Sequence, residues 1–165
     1  MPSSKEPATR WAWVEIDQGA LRRNTRAFKN LLGYGKRLCC VVKADAYGHG
    51  AVQCAKIMHA TGADMFAVAT VSEGVQLREG GIKSPVLVLN EPPIDACDTL
   101  LEYQIMPSVY SSEFALAYGE RAVEMGCVGK YHMAIETGMN RIGVHFTQGY
   151  SQPDPFGEGR GRRGC

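Results

Sequence analysis

A parallel-stranded α/β fold is what this sequence predicts, from the spacing of its apolar runs, their continuity, and the helix punctuation between them. The runs are Leu38 to Val42, Met65 to Ala69, Pro85 to Leu89, Ile105 to Val109 and Met133 to Ile135, with centres 20 to 27 residues apart. That interval holds one strand, one helix and two short loops. Each run is continuously apolar rather than alternating, as in a sheet covered on both faces. Two architectures share this rhythm: a doubly wound sheet complete with five strands, or a (β/α)8 barrel, which needs about 250 residues and would here be partial. Spacing alone leaves both open.

Ahead of the first run, Trp13 to Ile16 reads as one more strand. Asp17 then caps a helix with the apolar face Leu21, Phe28 and Leu32. Ser72 is placed to cap a helix through Val75, Leu77 and Arg78 that stops at Gly80 and Gly81. Pro92 and Pro93 suit the start of another, and Ser111 or Ser112 opens one through Phe114, Ala115 and Tyr118 that stops near Gly126. After Phe146 the character changes: residues 147–165 hold five glycines, two prolines and three arginines and almost nothing to bury, the composition of a disordered tail. The reading divides the chain into an extension (1–12), a barrel-type domain (13–146) and a tail (147–165).

Composition narrows the function classes. Of 165 residues 45% are hydrophobic and 21% charged, and 18 basic side chains face 17 acidic ones. Such a chain is globular and lacks the basic field that grips a phosphate backbone, so no nucleic-acid partner is expected. No apolar run approaches the roughly 18 residues that span a bilayer. The first ten residues lack a secretory pattern, and the expected address is the cytoplasm. Six cysteines occur without C-x-x-C spacing, Cys39 and Cys40 being adjacent in an apolar run, so reduced, buried thiols are expected rather than disulfides or a metal site. The four histidines show no ligand spacing.

The chemistry concentrates at Val41-Val42-Lys43-Ala44-Asp45-Ala46-Tyr47-Gly48-His49-Gly50. Lys43 falls at the carboxyl end of a parallel strand, where sites in such sheets gather. Desolvation there disfavours the ammonium form and favours an amine able to condense with an aldehyde. Gly48-His49-Gly50 supplies only half of a dinucleotide fingerprint. His49 reads as a structural residue at the start of a helix.

That stretch resembles the cofactor-lysine motif of the alanine racemases, fold-type III enzymes dependent on pyridoxal 5'-phosphate. Glu136-Thr137-Gly138-Met139-Asn140-Arg141-Ile142-Gly143 resembles the same family's D-[ST]-G-M-x-R-x-G segment at the end of the fifth barrel strand. The resemblance spans Trp13 to about Phe146 and implies a partial (β/α)8 TIM-type barrel, cut after about the fifth strand, with the first and last strands as open edges. It implies that Lys43 holds the cofactor and acts as an acid/base group at the substrate α-carbon. Tyr47 would bind the cofactor phosphate, and Arg141 would sit near the cofactor's phenolic oxygen and the substrate carboxylate, where a planar donor fork suits a carboxylate.

The implied activity is interconversion of L- and D-alanine, an isomerase step supplying D-alanine for peptidoglycan, by a homodimer in full-length members. The alternatives are a serine or broad-specificity racemase of the same fold, or a non-catalytic remnant. Two positions depart from the family pattern. Ala134 stands where a lysine is frequent, so Arg141 is expected to be held by another anion or a bound ion, or to be less well ordered, and Glu136 stands where aspartate is usual. The family's second base belongs to a carboxyl-terminal domain that the resemblance does not reach, so the isolated chain is expected to racemise poorly.

Overall fold

The structure, a computed structural model, describes residues 13–145; the expected extension (1–12) and tail (147–165) lie outside them. Five strands form one parallel sheet: β1 (Cys39–Val41), β2 (Met65–Val68), β3 (Val86–Val88), β4 (Ile105–Val109) and β5 (His132–Met133). Their spatial order is their sequence order, β1-β2-β3-β4-β5. Cys40 lies opposite Phe66, Phe66 opposite Val86, Val86 opposite Ile105, and Ser108 opposite His132. A doubly wound sheet reverses its order at a switch point, whereas successive staves of a barrel do not. The open alternative thus resolves to a segment of a (β/α) barrel. A short parallel pair, β6 (Ile135–Glu136) with β7 (Val144–His145), extends the line of β5.

The connecting helices are α1 (Gln18–Leu32), the single turn α2 (Lys43–Gly48), α3 (Ala51–His59), α4 (Val71–Glu79), α5 (Cys97–Glu102) and α6 (Ser112–Glu124). A 3₁₀ turn over Ile94–Ala96 follows the two prolines. The core lies between the sheet and α3 to α6, where Phe66, Leu77, Leu100, Ile105 and five valines of the strands and their ends are sealed from solvent. Burial of each such side chain contributes roughly 1.5–3 kcal/mol. No helix among the described residues is long and apolar enough to cross a membrane.

Asp17 caps α1, its Oδ1 accepting the Ala20 N–H at 3.0 Å, and Ser111 caps α6 through the Phe114 N–H at 3.2 Å. Elsewhere the structure corrects the sequence reading. Trp13 to Ile16 is not a strand: no strand among the described residues pairs with it, and Trp13 and Val14 are exposed. On α1 the buried residue is Thr25, with Leu21 and Leu32 half-buried, while Phe28 is 62% exposed. Lys29 pairs with Asp64 at 2.6 Å, which turns the helix toward its Thr25 and Lys29 side and leaves Phe28 at the rim.

The cap of α4 is Thr70, two residues before Ser72. Its hydroxyl accepts the Glu73 N–H at 3.3 Å while the Glu73 carboxylate accepts the Thr70 N–H at 3.2 Å, a reciprocal box. Of the described cysteines, Cys54 and Cys97 are buried as expected, whereas Cys39 and Cys127 are exposed. Cys39 sits on the edge strand β1, whose uncovered face explains its exposure. Burial pushes the neighbouring Cys40 thiol up to about 11, so it stays protonated and inert at neutral pH.

Candidate active site

The carboxyl end of β1 is built around a backbone feature that the sequence did not announce. Ala44, Asp45, Ala46 and Tyr47 all have positive φ, from 49° to 55°, with ψ from 38° to 51°. They form one left-handed helical turn of non-glycine residues. Each such residue costs roughly 1–2 kcal/mol, so the turn persists only where its surroundings over-determine it.

Those surroundings are visible. The Ala46 N–H donates to the Val42 carbonyl at 2.9 Å, and the Gly50 N–H donates to the Asp45 carbonyl at 2.9 Å. Asp45 Oδ1 accepts the Ala51 N–H at 2.7 Å, closing the turn onto the start of α3. His49 lends its Nδ1 to the carbonyls of Ala46 at 2.9 Å and Tyr47 at 3.1 Å, a structural role at the head of the helix. Val42 is sealed from solvent and Ala46 is 6% exposed; they anchor the turn in the core.

Lys43 immediately precedes this turn and is half-buried. Its strand-side neighbour is fixed by the Val42 N–H donating to the Ala67 carbonyl at 2.8 Å. Tyr47, four residues on, is 60% exposed. It lines a cavity of about 500 Å³ with Val14, Asp17, Leu21 and Met58, and neither Lys43 nor Arg141 lines that cavity. A side chain added at Gly48 or Gly50 would meet no atom within 4 Å, so the space over the glycines is open. Another cavity, of about 620 Å³, lies at the opposite, amino-terminal end of the strands, lined by Pro85, Ile105 and His132 among others.

Arg141 lies beyond β6 in a loop held by Glu136. That carboxylate is buried and accepts the Arg141 N–H at 3.2 Å and the Gly138 N–H at still closer range. Backbone N–H groups, that of Asn140 first and Gly138 next, hold the Glu136 carboxyl below the usual carboxylate range. Gly143 closes the loop: a Cβ there would stand 2.6 Å from the Glu136 nitrogen, and its φ is +115°. The glycine spacing of the motif is therefore a requirement of this tight return.

Ala134, half-buried, offers only backbone bonds, its N–H to Val109 and its carbonyl to Val144. The anion that orders the Arg141 loop is thus Glu136, and it acts on the backbone. The guanidinium itself is exposed. Lys43 precedes the turn and Tyr47 ends it, only Tyr47 lining the cavity beside α1, and Arg141 stands apart on the fifth-strand loop, on the same end of the sheet. Sequence reasoning missed Glu73 and Glu91, carboxylates that bind the backbone of neighbouring loops. Glu91 accepts the N–H groups of Tyr110 at 2.6 Å and Ser111 at 2.8 Å. The only signal for Glu73 was its place three residues after Thr70.

The sequence profile of the family "Alanine racemase, N-terminal domain" matches residues 16–152. The alanine racemase of Synechocystis sp. is 41% identical over 140 residues, covering 83% of this chain and 37% of that protein. Among solved structures, alanine racemase of Clostridium difficile 630 superposes with a TM-score of 0.80 at 40% identity, covering 84% of this chain and 38% of its own. Histidine racemase of Leuconostoc mesenteroides superposes with a TM-score of 0.76 at 28% identity, over 84% and 37% of the two chains. The chain spans little more than a third of the length of the curated relatives it matches.

Proposed function

The chain belongs to the alanine racemase N-terminal domain family, and from that premise we propose that it is the lysine-bearing part of a pyridoxal-phosphate-dependent racemase interconverting L- and D-alanine. In this reading residues 13–146 are the cofactor domain, with 1–12 an extension and 147–165 a tail. The whole enzyme is then a cytoplasmic homodimer acting on a small amino acid and supplying D-alanine for peptidoglycan. The observation that carries the reading is the left-handed turn at the end of β1. It holds a half-buried lysine just before its start and an exposed tyrosine at its end, four residues apart at the carboxyl end of β1.

The residues present fit pyridoxal phosphate by their donor chemistry: a primary amine for the aldehyde, a phenol and open backbone for the phosphate, and a guanidinium for a carboxylate or phenolate oxygen. When bound, the cofactor supplies an electron sink for the pair left behind as the substrate α-proton departs. Lys43 holds the cofactor and moves a proton to or from the α-carbon on one face. Tyr47 anchors the phosphate through its hydroxyl, and Arg141 binds the substrate carboxylate on the loop that Glu136 stiffens.

Inversion also needs a proton donor on the opposite face. Neither Tyr47 nor Arg141, with these assignments, can supply it. A positioned acid or base contributes about 10²- to 10⁴-fold, so the isolated chain is expected to exchange the α-proton of one enantiomer faster than it inverts alanine.

The test mixes the chain with pyridoxal phosphate, reduces with borohydride and maps the labelled peptide. Label at Lys43, abolished in Lys43→Ala, supports the reading. Label spread evenly over Lys29, Lys36 and Lys56 overturns it. A second specificity is favoured by the likeness to a histidine racemase: the same domain serves other amino acids, so exchange is to be measured with serine and histidine beside alanine.

A further inference from the structure

We propose that Glu73 is a positioning residue for Lys43, a latch that pins the left-handed turn from the neighbouring loop; the functional part of this rests on the reading of Lys43 given above. Glu73 stands in the first turn of α4, after β2. Its Oε1 accepts the Ala44 N–H at 2.7 Å, and its Oε2 accepts the N–H groups of Ala69 at 2.7 Å and Thr70 at 3.2 Å. One carboxylate thus ties together the loops that leave β1 and β2.

Ala44 N–H belongs to the peptide that leaves Lys43. The peptide that enters Val42 is held by the Ala67 carbonyl, so the lysine lies between a backbone fixed by the sheet and a backbone fixed by Glu73. Fixing both sides sets the direction of its Cα–Cβ bond, and with it where the amine is presented. The turn is strained at four residues, so the bond to Ala44, at the turn's beginning, bears directly on whether it keeps its left-handed form.

A simpler account treats Glu73 only as the distal member of the capping box with Thr70. The two differ in what they demand of residue 73. A capping box accepts glutamine as well as glutamate, because one oxygen suffices. The latch needs both oxygens, one for each loop. Glu73→Gln has a single carbonyl oxygen; with that oxygen kept on the Ala69 and Thr70 N–H groups of its own cap, only amide donors are left to face Ala44, so the loop leaving β1 is released. Glu73→Asp keeps the charge and the local cap but is one methylene too short to reach both.

The experiment measures backbone amide exchange at Ala44 in the 165-residue chain without cofactor, then capture of pyridoxal phosphate at Lys43 by borohydride reduction. Losing a hydrogen bond to a charged group is worth about tenfold or more in an equilibrium. Glu73→Gln and Glu73→Asp are each expected to speed exchange at Ala44 about tenfold, with amides of Phe66 and Val88 unchanged, and to lower capture at Lys43 by a similar factor. Thr70→Ala, which breaks the other half of the box, is expected to lower the melting temperature while leaving Ala44 exchange and Lys43 capture at the level of the parent chain.

The latch is overturned if Glu73→Gln leaves Ala44 exchange unaltered, or if Thr70→Ala alters it as much. It is also overturned if faster exchange at Ala44 leaves capture at Lys43 at full rate. Absence of label at Lys43 in the parent chain strikes instead at the functional reading, and the exchange measurement then decides the backbone latch independently of it.

Discussion

The two ends of the sheet are held by opposite charges. At the carboxyl end, Asp45, Glu73, Glu91 and Glu136 each gather backbone N–H groups of the loops. At the amino end, the Arg78 guanidinium gathers carbonyls: Tyr103 at 2.9 Å, Ile82 at 2.8 Å, Ser84 at 2.6 Å and Gln104 at 2.9 Å. The contrast follows from chain direction. Loops leaving parallel strands run into helix N-termini, where N–H groups lack partners. Loops entering the strands come from helix C-termini, where carbonyls lack them. Asp64, which accepts the Leu38 N–H and pairs with Lys29, is the exception at the amino end. The carboxyl end thereby acquires anchored loops and a strained turn, while the amino end acquires a clamp.

The largest expected effect is at the clamp. Arg78→Met removes the partner of four carbonyls at once, in a setting where burial already disfavours the charge and pulls its pKa down. Unsatisfied buried groups cost about 1–3 kcal/mol each, and those near the surface recover water, so a net loss of roughly 3 kcal/mol is expected in urea unfolding. Arg78→Lys recovers only a part, since an ammonium lacks the planar fork. A loss below about 0.5 kcal/mol in the methionine variant would break the comparison, because the amino end would then stand without its clamp.

The next effect separates the two ends by pH. Backbone donors hold the Glu136 carboxyl below its ordinary value of 4.5. A carboxyl depressed in the folded state stabilises fully above its unfolded pKa, and that contribution is lost as pH falls through the folded value. Amides of Gly138 to Arg141, corrected for intrinsic rates, are therefore expected to lose protection below about pH 4. Those of the Arg78 clamp, whose guanidinium does not titrate there, are expected to hold. Glu136→Gln should remove the pH dependence of the loop. A loop whose protection falls with pH as steeply in Glu136→Gln as in the parent would show that Glu136 does not carry it.

Much of this was legible in the sequence, and the remainder was hidden for definable reasons. Strands β1 to β4 lay within the apolar runs, β2 to β4 because a strand buried on both faces leaves a continuous hydrophobic record, whereas β5 overlapped its run only at Met133 and both its residues are exposed. Asp17 and Ser111 declared their helices because a cap acts within three residues. Trp13 to Ile16 misled because an apolar stretch is a strand only if another strand is there to pair with it. Phe28 misled because periodicity gives a helix its face but not its rotation, which the Lys29–Asp64 pair, 35 residues apart, decides. At the site, Lys43, Tyr47 and Arg141 stood in motifs. Four left-handed residues in a row, none of them glycine, have no compositional mark. Nor does Glu73, whose partner Ala44 is 29 residues away.

The smallest effect tests how far hydroxyls share the work of the carboxylates at the carboxyl end. Both Thr70 and Ser72 are suitable residues at the start of α4, and they contact each other, Oγ1 to Oγ at 3.0 Å. Only Thr70 has the extended backbone of a cap, φ −130° and ψ 159°, and only its hydroxyl accepts a helix N–H. Ser72 is already inside the helix, exposed, with its hydroxyl spent on Thr70. Thr70→Ala is therefore expected to cost about 1 kcal/mol, as loss of an N-cap does. Ser72→Ala is expected to stay within about 0.5 kcal/mol of the parent, as exposed substitutions away from a cap do. Because Glu73 remains to accept the N–H groups of Ala69 and Thr70, the first loss should stay near the lower end of the capping range. Equal losses at the two positions would mean that the hydroxyl pair acts as one unit, and a larger loss at Ser72 would return the cap to where periodicity alone had put it.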